Sequence, residues 1–147
     1  MAVKLSRGLA KIEINFDGVD EPEFIYVNPT DTKLLERMKE AQKIIEEKAK
    51  AVEPYKRGAD GLPEAEDAIR YVNETNQIVY DAIDYGFGSN VSAVLFKYLS
   101  PFAIVDGEYN VFAVLGALTP ELERIAKQNR DKANKNVDKY LKKYQKK

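Results

Sequence analysis

The 147-residue chain contains no cysteine and no histidine. The missing thiols remove disulfides, thiolate metal sites and cysteine nucleophiles. The missing imidazoles remove histidine-ligated metals and every Ser-His or Cys-His catalytic pair. Chemistry by carboxylate, lysine, tyrosine or oxygen-ligated metal stays open, and each form needs its own signature. No run approaches the ~20 apolar residues of a membrane span, and the opening MAVKLSRGLAKIEI lacks the apolar core of a secretory signal. A cytoplasmic protein without membrane contact is expected.

What is present is the composition of a well-solvated globular chain, 44% hydrophobic and 32% charged. A single domain of this size buries roughly 70% of its unfolded surface, enough for a core without staples. The net charge of −1 hides an uneven distribution. Residues 127–147 hold nine Lys/Arg against two Asp/Glu, a net +7, and residues 1–126 hold 14 against 22, a net −8. The expected organisation is one acidic globular domain over 1–126 followed by a basic helical extension over 127–147, with a dipolar field.

Ile12, Ile14 and Phe16 alternate with Lys11, Glu13 and Asn15, and Phe24–Val27 follows after DGVDEPE. Period two with β-branched and aromatic residues predicts two short antiparallel strands of open register. An isolated two-stranded ribbon is marginal, so it must lie on helices or pair with another chain. Thr30 or Asp31 is placed to cap a helix running to about Val52, with Leu34, Met38, Ala41, Ile45 and Val52 on one stripe and Pro54 as its stop. Glu36/Lys39, Glu40/Lys43 and Glu46/Lys50 sit outside at pairing distance.

Pro63 suits the first turn of a second helix, Glu64 to Tyr85. Its stripe Ala65, Ile69, Val72, Asn76, Val79, Ile83 steps 4, 3, 4, 3, 4, which is a heptad seam. Asn76 in that seam either fixes register or reaches solvent or a carbonyl. The short connection makes the two helices an αα-hairpin. Gly86 or Gly88 ends the second helix, and Ser89 or Asn90 caps a third, Val91–Leu99, apolar nearly all round and closed by Ser100-Pro101. In residues 102–118, Asp106-Gly107 signals a hairpin while Val111, Leu115, Leu118, Leu122 and Ile125 hold helical spacing. Helix from about Tyr109 is favoured. Thr119-Pro120 reads as the cap and first turn of a last helix, whose basic end carries Ala133, Val137, Leu141 and Tyr144. The expected class is α+β, mainly α: a two-stranded β element, then four to five helices.

Three constellations could carry chemistry. YGFGSN has two glycines before a helix start, but a phosphate cradle needs a strand leading in and a Gly-Lys-Ser/Thr or three-glycine pattern, and these are missing. A corner between two helices uses every residue of the stretch. Glu64, Glu66 and Asp67, or Asp81 and Asp84, could pair as acid and base, yet none has the apolar surroundings that shift a carboxyl pKa. Asp17-Gly18-Val19-Asp20 lacks the remaining donors of a calcium loop. No catalytic residue, metal or cofactor is assigned. The lysines of the basic end, Lys132, Lys135, Lys139, Lys142, Lys143 and Lys146, could meet a phosphate backbone, an acidic protein or only solvent.

The order of parts resembles a known group. A strand pair from AKIEINFDG to FIYVNP, the NPTD opening of LLERMKEAQKIIEEKAK, a helix ending in DYGFG, and an apolar segment with a Ser-Pro-Phe turn are similar to the small tail assembly chaperones of long-tailed phages and prophages of Gram-positive bacteria. The resemblance spans about residues 8–126. It implies a non-enzymatic, mainly helical protein of the bacterial host cytoplasm that binds the tape-measure protein and helps tail-tube subunits polymerise around it. The strongly basic C-terminal helix is not a feature of that group. Phe87, Val91, Val94, Leu95 and Tyr98, with the seams of the first two helices, are the expected partner-binding surface. The alternative is a small nucleic-acid-binding protein acting through the basic end, and self-association is left open by the seam and the strand edges.

Overall fold

A computed structural model describes residues 1–53 and 56–145. Strand β1 (Ala10–Ile14) pairs antiparallel with β2 (Glu23–Val27), setting Ala10 opposite Val27 and Ile12 opposite Ile25. That register puts Ile12, Ile25 and Val27 together on the buried face. The other face is wet, and there the Lys11 ammonium lies 4.0 Å from the Phe24 ring centroid. The ribbon lies on the helices of its own chain, since its buried face joins Leu34, Ile83, Val91 and Leu95 in one core. Phe16 falls beyond the strand and meets Tyr98 edge-on, with ring centroids 4.9 Å apart.

Helix α1 (Thr32–Ala51) is capped by Asp31, whose side chain accepts from the Lys33 amide at 3.0 Å. Helix α2 (Ala65–Phe87) runs back beside it. At one end Gly86 lies against Met38 and Ala41, and at the other the Arg70 guanidinium donates to the Glu53 carbonyl. Pro63 is not in the first turn of α2: it precedes the helix in an isolated bridge with Arg57, and the helix opens after Glu64. Glu40 takes the Tyr85 hydroxyl across the hairpin. Pro54 and the side chain of Lys50 lie outside the described residues.

The third helix is shorter than its apolar run suggests. Helix α3 (Ser92–Leu95) is a single turn, and Phe96 already leaves helical geometry. One helix lying on a surface cannot bury residues on every side, whereas a chain that turns after Leu95 sends Val91, Leu95 and Phe96 inward and lets Lys97 reach Glu23. The cap is also different. Neither Ser89 nor Asn90 serves; Asp84 Oδ1 accepts from the Val91 and Ser92 amides at 2.9 and 2.7 Å, and Oδ2 from the Ser92 hydroxyl at 2.8 Å.

Both readings of residues 102–118 hold, one after the other. Strands β3 (Ile104–Val105) and β4 (Glu108–Tyr109) form a tiny hairpin whose Asp106 and Gly107 both have positive φ, 51° and 79°, as a type I′ turn requires. Helix α4 (Asn110–Gln145) then runs unbroken through Pro120. Thr119 is therefore not a cap: its hydroxyl bonds back to the Leu115 carbonyl at 2.7 Å. A proline inside a helix costs about 3 kcal/mol, and here buried Leu118 and Ala126 anchor the stripe on both sides of it. The architecture is α+β and mainly α, with the N-terminal ribbon followed, among the described residues, by four helices.

Candidate partner-binding groove

Helix α4 runs antiparallel to α1 and stands slightly off it. Val111, Phe112 and Leu115 face Met38, Ala41 and Ile45, while Leu118, Leu122 and Ala126 face Leu34 and Leu35. Beside the first turns of α4 the gap is an apolar groove of about 620 Å³, lined by Ile45, Val79, Ile83, Phe102, Val111 and Phe112 among others. Further along the same face of α4 a second groove of about 460 Å³ carries Leu34, Phe87, Leu118 and Leu122. Met38 and Leu115 line both. Phe112, 59% exposed, and Phe102, 41% exposed, stand on the rim of the larger one.

Most of the side chains expected to bind a partner lie inside the fold. Phe87, Val91 and Leu95 are core residues, Val94 is half-buried and packed against them, and among the five only Tyr98 is exposed. An apolar run rich enough to look sticky is rich enough to be swallowed by the fold. The groove residues that sequence reading passed over, Phe102 and Phe112, sit in the segment whose structure was ambiguous. Their signal was present: two aromatics flanking a tight hairpin.

The stretch YGFGSN is a corner. Gly88 ends α2 in the left-handed conformation at φ 70°, its amide donating to the Asp84 and Tyr85 carbonyls. Gly86 stays inside the helix, where a Cβ would meet Met38 Sδ at 2.5 Å. Arg7 donates to the Gly88 carbonyl and Arg37 to the Gly86 carbonyl, cations at the negative end of a helix. The amides that could receive a phosphate are already held by the Asp84 carboxylate.

Two of the other candidate acids are likewise occupied structurally, while Glu64 and Glu66 are exposed. Asp67 takes the Arg70 guanidinium and the Lys56 amide, which hold its carboxyl below the usual range. Asp81 accepts from Gln77 at 2.8 Å. No three acidic, cysteine or histidine side chains gather as metal ligands among the described residues. No helix among them is long and apolar enough to cross a membrane.

The basic end of α4 is bare. Every residue from 127 to 144 is exposed, a span of about 27 Å at 1.5 Å per residue. Lys132, Lys135, Lys139 and Lys142 step 3, 4 and 3 along one side with Lys143 next to them, and Lys146 lies outside the described residues. Compared with protein-family models, with curated proteins and with solved structures, the chain matches none.

Proposed function

We propose that the protein is a non-enzymatic chaperone or adaptor that holds an amphipathic helical segment of a partner. The observation that carries this reading is the open apolar groove between α1 and α4, rimmed by Phe102 and Phe112. Such a groove suits a helix that lays one apolar face down and leaves its polar face wet. The order of elements, similar to that of phage tail assembly chaperones, supports one partner class in particular: a long, apolar, tape-measure-like helical protein kept soluble before tail-tube subunits enclose it. The acidic body keeps such a complex soluble by charge repulsion.

A nucleic-acid role through the lysines has weaker support. The same turns carry Val137, Leu141 and Tyr144, all exposed, and a phosphate backbone makes no use of an apolar stripe.

The deciding experiment asks whether a long, tape-measure-like helical protein is encoded beside this chain and whether the two co-purify. The wild type is expected to co-elute with it, and Phe112→Asp to lose it while keeping the wild-type circular dichroism and melting curve. Absence of any complex with the wild type, or full retention by Phe112→Asp, overturns the reading.

A further inference from the structure

The apolar stripe of α4 does not stop where the body of the protein stops. Val111, Leu122, Ala133 and Tyr144 follow one another at eleven residues, as do Leu115, Ala126 and Val137. An eleven-residue step is 3.67 residues per turn, so it keeps to nearly one side of a helix. Through Ala126 this stripe is covered, and beyond it Val137 is 54% exposed. Helix α2 shows the reverse order. Val79 and Ile83 of its seam are buried, while Ile69 and Val72 are 60% and 51% exposed.

The two stripes match in spacing, the one on α2 bare up to the half-buried Asn76. Ala65, Ile69, Val72 and Asn76 step 4, 3, 4, and so do Ala133, Val137, Tyr140 and Tyr144. Each covers about 18 Å of helix. The two segments carry opposite net charge: residues 64–76 hold four acids against one arginine, and residues 127–147 are net +7. Within one chain they cannot meet. The opening of α2 lies beside the C-terminal end of α1, where Arg70 holds Glu53, whereas α4 leaves the body past Leu34 and Leu35 at the other end of α1.

We propose that the basic end of α4 docks on the exposed first half of α2 of a second copy of this chain, apolar stripe to apolar stripe, the opposite net charges of the two segments drawing them together. The contact is heterologous, joining opposite poles of two molecules. A pairing of two basic ends is disfavoured by their like charge. The inference does not rest on the groove described above, and its test involves no other protein.

The 147-residue chain is examined by sedimentation velocity over a range of concentrations. Association to at least twice the 16.7 kDa chain mass is expected at low salt, weakening as salt is raised because the charges are exposed. Ile69→Asp and Val137→Asp, both at exposed positions, each give a monomer. Mixed together they restore a one-to-one pair, since one supplies an intact basic end and the other an intact α2 face. Circular dichroism and melting curves of both variants are expected to match the wild type. A wild type that stays monomeric at every concentration, an Ile69→Asp chain that still self-associates, or association that appears only when duplex DNA is added, overturns the proposal.

Discussion

The two halves of α4 carry apolar residues of one period, yet only the first half is covered. The same holds for α2 in reverse order, bare at Ile69 and buried at Ile83. The comparison separates two things that a periodic sequence states at once. Period says which side of a helix is apolar, because 3.6 residues complete a turn. Whether that side meets anything depends on where the neighbouring elements end, and period carries no information about that.

The contrast is broken most forcefully by truncating one leucine in each half of α4. Leu118→Ala, in the covered half, is expected to destabilise the fold by about 2–5 kcal/mol in urea unfolding. Leu141→Ala, in the bare half, is expected to stay within about 0.5 kcal/mol of the wild type at dilute concentration. Equal effects would mean that α4 is covered along its whole length in the monomer.

Two helical glycines sharpen the same contrast with opposite signs. Gly86→Ala puts a methyl against Met38 Sδ where α1 and α2 cross, and is expected to cost about 1–3 kcal/mol. Gly116→Ala meets no atom within 4 Å and is expected to stabilise by about 0.5–1 kcal/mol through helix propensity. Thermal melts of the two variants should move in opposite directions. At the corner, Asp84→Ala strips the carboxylate from two amides and a hydroxyl, with an expected loss of about 1–2 kcal/mol. Asp81→Ala, three residues earlier on a wet face, is expected to change melting little.

The smallest effect is on pH dependence. The Asp67 carboxyl is held below its ordinary range by Arg70 and the Lys56 amide. A depressed folded-state pKa gives stabilisation that is fully present above the unfolded pKa and is lost as pH falls through the folded one. Acid titration of the melting temperature should therefore show a shallow decline starting in the usual carboxylate range and continuing below it. Asp67→Asn should flatten that decline, and an unchanged slope would assign it to other acids.

Much of the fold was legible in local patterns. Alternation at Ile12 and Ile14, the Asn-Pro-Thr-Asp opening of α1 and the Asp-Gly turn each depend on a few adjacent residues, and each formed where expected. Three cues misled because they were read locally while the outcome was decided by packing. Thr119-Pro120 has the form of a helix start but lies within a stripe anchored on both sides. Val91–Leu99 has the form of a helix but is turned after Leu95 to bury more. Ser89 and Asn90 have the form of a cap, and Asp84 from the preceding helix took that place. The groove was the least legible part, since Phe102 and Phe112 acquire meaning only when Met38, Ile45 and Val79 arrive opposite them.

By itself the sequence determined where most strands and helices lie, which side of each long helix is apolar, where charge accumulates, and which chemistries are closed for want of thiols and imidazoles. These follow from the backbone's few allowed geometries and from composition, both of which act over a handful of residues. Only the tertiary structure decided which apolar sides become core and which stay open, because burial depends on elements distant in the chain reaching the same place. The exposed stripes of α2 and α4 and the groove between α1 and α4 are surfaces of that second kind.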